Sequence, residues 1–164
     1  MSHESMKVST SCILLNKAIM FKTILVPTDG SALSDKAIDA AIEFAKMNGS
    51  KIIGLSVAEP YPFSPLAESS VAAESATYEH KMQELAQLHV QKIADNAMSA
   101  KVTFETATAL SFSPYAEIVN TAKKFNCDVI FMASHGRKGL NKLFLGSETQ
   151  KVLAHSTIPV LVFR

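Results

Sequence analysis

Two stretches of the chain gather residue types suited to holding an anion. The first, Pro27-Thr28-Asp29-Gly30-Ser31, ends the aliphatic run Thr23-Ile24-Leu25-Val26. The second is Ser134-His135-Gly136-Arg137-Lys138-Gly139, continued beyond Leu140 to Leu145 by Gly146-Ser147-Glu148-Thr149. A Gly-Ser pair opening a helix offers unpaired backbone N–H groups, a hydroxyl and the positive end of the helix dipole. Gly136 lets the chain bend and pass close to a ligand with no Cβ in the way. Arg137, Lys138, Lys142 and Lys151 outweigh Glu148, a local positive excess in an otherwise balanced protein. These features suit a phosphate group; a glycine-bearing loop that only turns a corner is the competing reading.

Each residue also has a plainer role open to it. Asp29 can contact a ligand or cap the first helix through an Asx-turn, and the two are compatible. His135 is a general base or simply a hydrogen-bonded loop residue. Ser147 is expected to be a helix N-cap under either reading, and Arg137 and Lys138 either meet phosphate or form a solvated loop face. His80 and His89, nine residues apart on one helix, fall on different faces and make a poor metal pair. Cys12 and Cys127 form no CxxC motif, which fits a reduced compartment, and Cys127, just ahead of a strand, reads as packing. The chain holds no P-loop signature (Gly, four residues, Gly-Lys-Ser/Thr), no GxGxxG after the first strand, no GxSxG elbow and no HExxH pair.

The elements that would position these residues follow from periodicity. Thr23 to Val26 is a buried strand stopped by Pro27, with Ser31 as the cap of a helix whose apolar face repeats at Leu33, Ala37, Ala41 and Ala45 and which stops at Asn48-Gly49. Lys51 to Ala58 is a second strand; Pro60, Pro62 and Pro65 mark a loop to about Ser70, a candidate lid; a long helix follows from about Val71 to Ser99. Val102–Thr106 is expected as the third strand and Pro114 as the first turn of a helix capped by Ser113. Asp128–Ser134 and Ile158–Phe163 are the fourth and fifth strands, separated by a helix from about Ser147 to Ala154. Unbroken apolar strands alternating with helices imply an α/β fold, a doubly wound five-stranded parallel sheet in the order 3-2-1-4-5 with helices on both faces. Ligands in such sheets bind at the carboxyl ends of the strands where the winding reverses. Here that point joins the ends of strands 1 and 4, the two anion-suited stretches.

The segments FKTILVPTDGS and SHGRKGLNKLFLGS, with the closing VLAHSTIPVLVFR, resemble the universal stress protein family across about Phe21 to Arg164. Its nucleotide-binding members carry Gly, two residues, Gly, nine residues, then Gly with Ser or Thr; this chain gives Ala133, two residues, Gly136, nine residues, Gly146 and Ser147. The resemblance implies an ATP-binding domain, usually dimeric. Carried over residue by residue, it implies that Asp29 lies near the adenosine beside Pro27 and Thr28, and that Val57 offers backbone groups to the adenine edge. It further implies that Met132, Ala133, His135, Gly136 and Arg137 border the ribose and phosphate entrance. Gly146, Ser147, Glu148 and Thr149 would face the phosphates, with Mg²⁺ carried on the phosphate oxygens. The departure is Ala133, one methyl group where the family often has none.

The 164 residues amount to about one domain, read as 20–164 behind a leader, 1–19. Apolar residues at 48% and charged residues at 19% exclude intrinsic disorder and a disulfide scaffold. A net charge of +1, with no Trp and 7% aromatics, argues against a nucleic-acid partner. Neither a secretory core nor a membrane span is evident, so the sequence reads as cytoplasmic. The apolar edge strand Ile158–Phe163 is expected to pair with its mate in a homodimer. The functional expectation is an ATP-dependent conformational or interaction switch in a stress response. The alternatives are a nucleotide-independent dimeric interaction protein and a slow ATPase, and no residue pattern points to an evolved catalyst.

Overall fold

The computed structural model describes residues 21–62, 71–137 and 145–164. In chain order these form β1 (Thr23–Pro27), α1 (Ala32–Asn48), β2 (Lys51–Ala58), α2 (Val71–Ser99), β3 (Phe104–Leu110), α3 (Pro114–Lys124), β4 (Val129–Ala133), α4 (Ser147–His155) and β5 (Val160–Phe163). The leader 1–19, the part of the proline loop from 63 to 70, and Lys138 and Lys142 lie outside the described residues.

The strands form one sheet in the order β3-β2-β1-β4-β5, every pairing parallel, as the alternation requires. β1 is central and covered on both faces, so it reads as a continuous aliphatic run rather than an alternating one. Ile24 and Val26 pack with Ile38, Ala41 and Ile93 under α1 and α2. Leu25, pointing the other way, packs with Ile118 and Val152 under α3 and α4. The alanine face of α1 lets that helix lie close to the sheet. Ser31 caps it, its hydroxyl accepting the Ser34 N–H at 3.2 Å. Gly49 ends it at φ +73°, a left-handed conformation that glycine adopts without strain.

Beside α1 on the same face, α2 crosses β2 closely enough that a Cβ on Gly54 would stand 3.0 Å from Ile93 Cδ1. At the amino end of the sheet, Asp128 Oδ2 accepts the N–H groups of Lys22 (2.7 Å) and Thr23 (2.8 Å), tying the start of β4 to the start of β1.

Four local expectations are corrected. β3 begins at Phe104, later than Val102, and runs on to Leu110. The chain leaves α2 through Lys101 in the left-handed region (φ 59°), and the Val102 N–H returns to Ala97 O at 2.9 Å. Val102 thereby becomes a buried plug, and the ladder starts where the chain meets β2. β5 begins at Val160, because the Ile158 N–H bonds Ser156 Oγ and Pro159 has no N–H to give. Ser113 stands at the N-cap of α3 but makes no side-chain cap bond; the Glu148 carboxylate accepts the Tyr115 N–H at 2.9 Å instead. The N-cap of α4 is Gly146, with Ser147 the first helical residue. The Gly146 N–H bonds back to Ser134 O at 2.7 Å, holding Gly146 extended, and its own carbonyl accepts the Gln150 N–H.

Ile93 is fully buried where α2 meets the sheet. Ile93→Ala should lower the unfolding free energy by about 2–5 kcal/mol, read as an unchanged urea m-value with a reduced midpoint.

Candidate functional site

β1 ends at Pro27, and the chain turns over Thr28 to Ser31. The Thr28 N–H bonds Leu55 O at 2.8 Å. Its hydroxyl accepts the Gly30 N–H at 3.1 Å and lies 3.0 Å from Ser34 Oγ, so this buried threonine fastens the turn to α1. Asp29 does two things at once. Oδ1 accepts the Ser31 N–H at 3.1 Å, the Asx-turn; Oδ2 accepts the Arg137 N–H at 2.7 Å, across the crevice on the loop after β4. A Cβ on Gly136 would fall 2.4 Å from that Oδ2. The room glycine leaves at 136 is thus occupied by the Asp29 carboxylate. Burial works against the charge on Asp29. The hydroxyl and N–H of Ser31, the Arg137 N–H and the Arg137 guanidinium outweigh it and hold the carboxyl below its ordinary range.

The other wall comes from β4 and α4. Met132 is buried in the core under α3 and α4, so only its backbone reaches the strand end. Ala133 is 8% exposed and leaves little surface toward the crevice; its carbonyl accepts the Thr149 hydroxyl at 3.0 Å. Ser134 Oγ and His135 Nδ1 lie 3.1 Å apart. His135 and Ser134 back onto Gly146, where a Cβ would stand 3.2 Å from His135 Cα and 3.4 Å from Ser134 O. Beyond Gly146, α4 starts without a side-chain cap. The N–H groups of Ser147, Glu148 and Thr149 have no partner within the helix, and they open on the same side as the ends of β1 and β4. The Glu148 carboxylate points away, to the Tyr115 N–H and to Lys151 Nζ at 2.7 Å.

Val57 enters through its backbone. The backbone groups of β2 alternate in direction along the strand: Leu55 O accepts from Thr28 beside β1, while Ala58 O accepts from Ser111 beside β3. Two residues past Leu55, the Val57 N–H and C=O face the β1 side again, above the point where β1 has stopped. Among the described residues they are strand-edge groups with no strand opposite. Two concavities, of about 310 Å³ and 360 Å³, lie elsewhere, one at the amino end of the sheet beside Lys123 and Asn126, the other beside His80 and Glu84. Neither joins strand ends, a helix N-terminus and a held carboxylate. Cys127, in the wall of the first, is buried, and burial with the Asp128 charge pushes its thiol up to about 12, which makes it a packing residue.

The residue that sequence reasoning missed is His89. From α2 it reaches the same strand ends, with Nδ1 3.3 Å from Ser56 Oγ and its ring against Gly30. Weighed only as half of a metal pair with His80, it gave no periodic signal that could place it beside the turn after β1. Among the described residues no group of three or more His, Cys, Asp or Glu could hold a metal ion. No helix among them is long and apolar enough to cross a membrane.

This is a doubly wound parallel α/β domain with its crevice at the winding reversal between β1 and β4. Residues 20–164 match the model of the universal stress protein family, and the chain belongs to that family. It is 33% identical over 153 residues to universal stress protein MJ0531 of Methanocaldococcus jannaschii, covering 93% of this chain and 87% of the relative. It is 34% identical over 152 residues to universal stress protein YxiE of Bacillus subtilis, covering 88% of this chain and all of the relative. Among solved structures, hypothetical protein MJ0577 superposes with a TM-score of 0.74 at 28% identity, covering 88% of this chain and 96% of that one. A universal stress protein in complex with cAMP superposes at 0.64 and 25% identity, covering 88% and 98%.

Because the Asp29 carboxyl is held low, its bonds stabilise the fold above the unfolded-state value and that contribution is lost as pH falls through the folded one. Asp29→Asn should therefore cost roughly 1–2 kcal/mol at neutral pH. The gap between wild type and variant in urea unfolding should close in acid.

Proposed function

We propose that the crevice binds an adenine nucleotide, ATP in the first instance, and that occupancy sets the conformation or partner choice of the protein in a stress response. The observation that carries this reading is that the chain leaving β4 bonds both the uncapped N-terminus of α4, through the Ser134 carbonyl and the Gly146 N–H, and the Asp29 carboxylate, through the Arg137 N–H, at the winding reversal. Phosphates would take the N–H groups of Ser147, Glu148 and Thr149 and the charge of Arg137, with Mg²⁺ on the phosphate oxygens. Adenine would lie along the free edge of Val57, and the ribose beside Asp29, Pro27 and Ala133 to Gly136. The solved cAMP complex of a relative supports the adenine nucleotide as the ligand class. Asp29 is engaged by backbone N–H groups on both oxygens, so the reading is of a binding site rather than a catalytic one.

Acid release of whatever copurifies, identified by mass spectrometry, followed by titration with ATP and Mg²⁺, tests the reading. Near-stoichiometric adenine nucleotide or saturable ATP binding is expected, with about 2.7 kcal/mol of stabilisation at a ligand concentration of about 100 Kd. Gly146→Val should abolish binding, because its branched side chain meets His135 and Ser134. A folded protein that arrives empty and ignores ATP would leave the nucleotide-independent interaction protein as the better account.

We also propose a homodimer built on β5, which among the described strands is an edge paired to β4 alone. Leu161 is 48% exposed on it, whereas Val160 packs against the core. Leu161→Lys is therefore the clean test: light scattering should give a dimer for the wild type and a folded monomer for the variant, and an unaltered dimer would rule out this interface.

A further inference from the structure

His89 forms a wall of the crevice that neither strand end supplies. Its Nδ1 lies 3.3 Å from the hydroxyl of Ser56, the residue before Val57. Its far side lies against the turn that carries Asp29: a Cβ on Gly30 would be 2.3 Å from Nε2 and 2.5 Å from Cδ2. Only glycine leaves room for the ring there, and at φ +74° only glycine is at ease. The imidazole is thus wedged between the end of β2 and the turn after β1, the two places assigned above to adenine and ribose.

The charged groups bearing on this ring come from each neighbouring element: Asp29 from the turn after β1, Asp35 from α1, Lys92 from α2 and Arg137 from the loop after β4. β2 contributes Ser56, which is uncharged. Lys92 and Asp35 are paired at 2.8 Å and largely offset one another. In the free protein, burial foremost and then Arg137 press the imidazole toward its neutral form, against the pull of Asp29. A phosphate chain seated on α4 beside Arg137 would cancel that positive charge and add negative charge of its own. A nucleoside without phosphate brings neither effect.

We propose that His89 is a specificity-determining residue of the crevice, taking up a proton when a phosphorylated nucleoside binds, so that nucleotide affinity, and not nucleoside affinity, rises as the solution is acidified. The inference rests on the nucleotide reading above and adds a discrimination to it. The sign follows from linkage: a ligand that raises the affinity of a group for protons is itself bound more tightly where protons are more abundant. Each unit by which the imidazole's midpoint rises is worth up to about tenfold in Kd.

The test is calorimetric titration of wild type and His89→Gln with Mg²⁺-saturated ATP and with adenosine, at about pH 5 and about pH 8. The His89 ring resonance is followed by NMR with and without ATP. Expected are wild-type ATP binding several-fold tighter in acid, adenosine binding that does not follow, an ATP-induced upward move of the His89 midpoint, and loss of the acid enhancement in His89→Gln. An enhancement that survives in His89→Gln, or a ring midpoint that ATP does not move, overturns the proposal and leaves nucleotide binding intact. Absence of binding by either ligand at both pH values overturns the nucleotide reading and the proposal with it. Should His89→Gln fail to fold, the wild-type ring titration decides alone.

Discussion

The carboxylate of Asp29 holds together the two halves of the winding. Its oxygens accept N–H groups from Ser31 and Arg137, residues 106 positions apart in sequence, and the second bond spans the gap between the ends of β1 and β4. That gap is where a doubly wound sheet leaves its strand ends uncovered, because helices diverge to opposite faces there. The bond fixes how far apart the walls stand. It also dictates the neighbouring residue type, since the Asp29 oxygen stands where any side chain at 136 would begin.

A second carboxylate plays the matching part at the other end of the sheet. Asp128 collects the N–H groups of Lys22 and Thr23 at the amino end, so β1 and β4 are tied near both extremities although their own ladder is short. Between these ties the pairing relies on fully buried side chains: Ile24, Leu25, Val26 and Ile130. The polar ties set register and the aliphatic core supplies most of the driving force. Glu148 extends the same economy, capping α3 from α4 and leaving the first turn of its own helix free of side-chain acceptors.

The sheet order and the helix limits at Val71 and Ser99 were legible in the sequence because they rest on long periodic patterns and on the chirality of crossovers. Strand limits were less legible. Nothing local announces that Lys101 takes a left-handed turn, or that Val102 then fills the core instead of opening β3. Caps were least legible, because Ser113 and Ser147 have the right chemistry for a role that tertiary partners decide. Glu148 reaches α3 from a different helix, and the Ser134 carbonyl draws Gly146 into the cap position. At the site, the dual engagement of Asp29 was half legible: the Asx-turn is local, the bond to Arg137 is not. His89 was invisible for the same reason, its place set by how α2 lies across β2 and by the missing side chain of Gly30.

The central position of β1 has a consequence for the order in which the molecule comes into being. As the chain is synthesised, β1, α1, β2, α2 and β3 are all complete before β4 exists, and they can already form a three-stranded half-sheet. In that half-sheet β1 is an edge, and its Ile24, Leu25 and Val26 have an unpaired backbone flank until Val129 and Ile130 arrive to close it. The crevice cannot be present during this interval, since one of its walls has not been made. Any ligand of the crevice is therefore excluded from the early half of folding and can act only on the last step, when β4 docks and the loop bearing Arg137 comes within reach of Asp29.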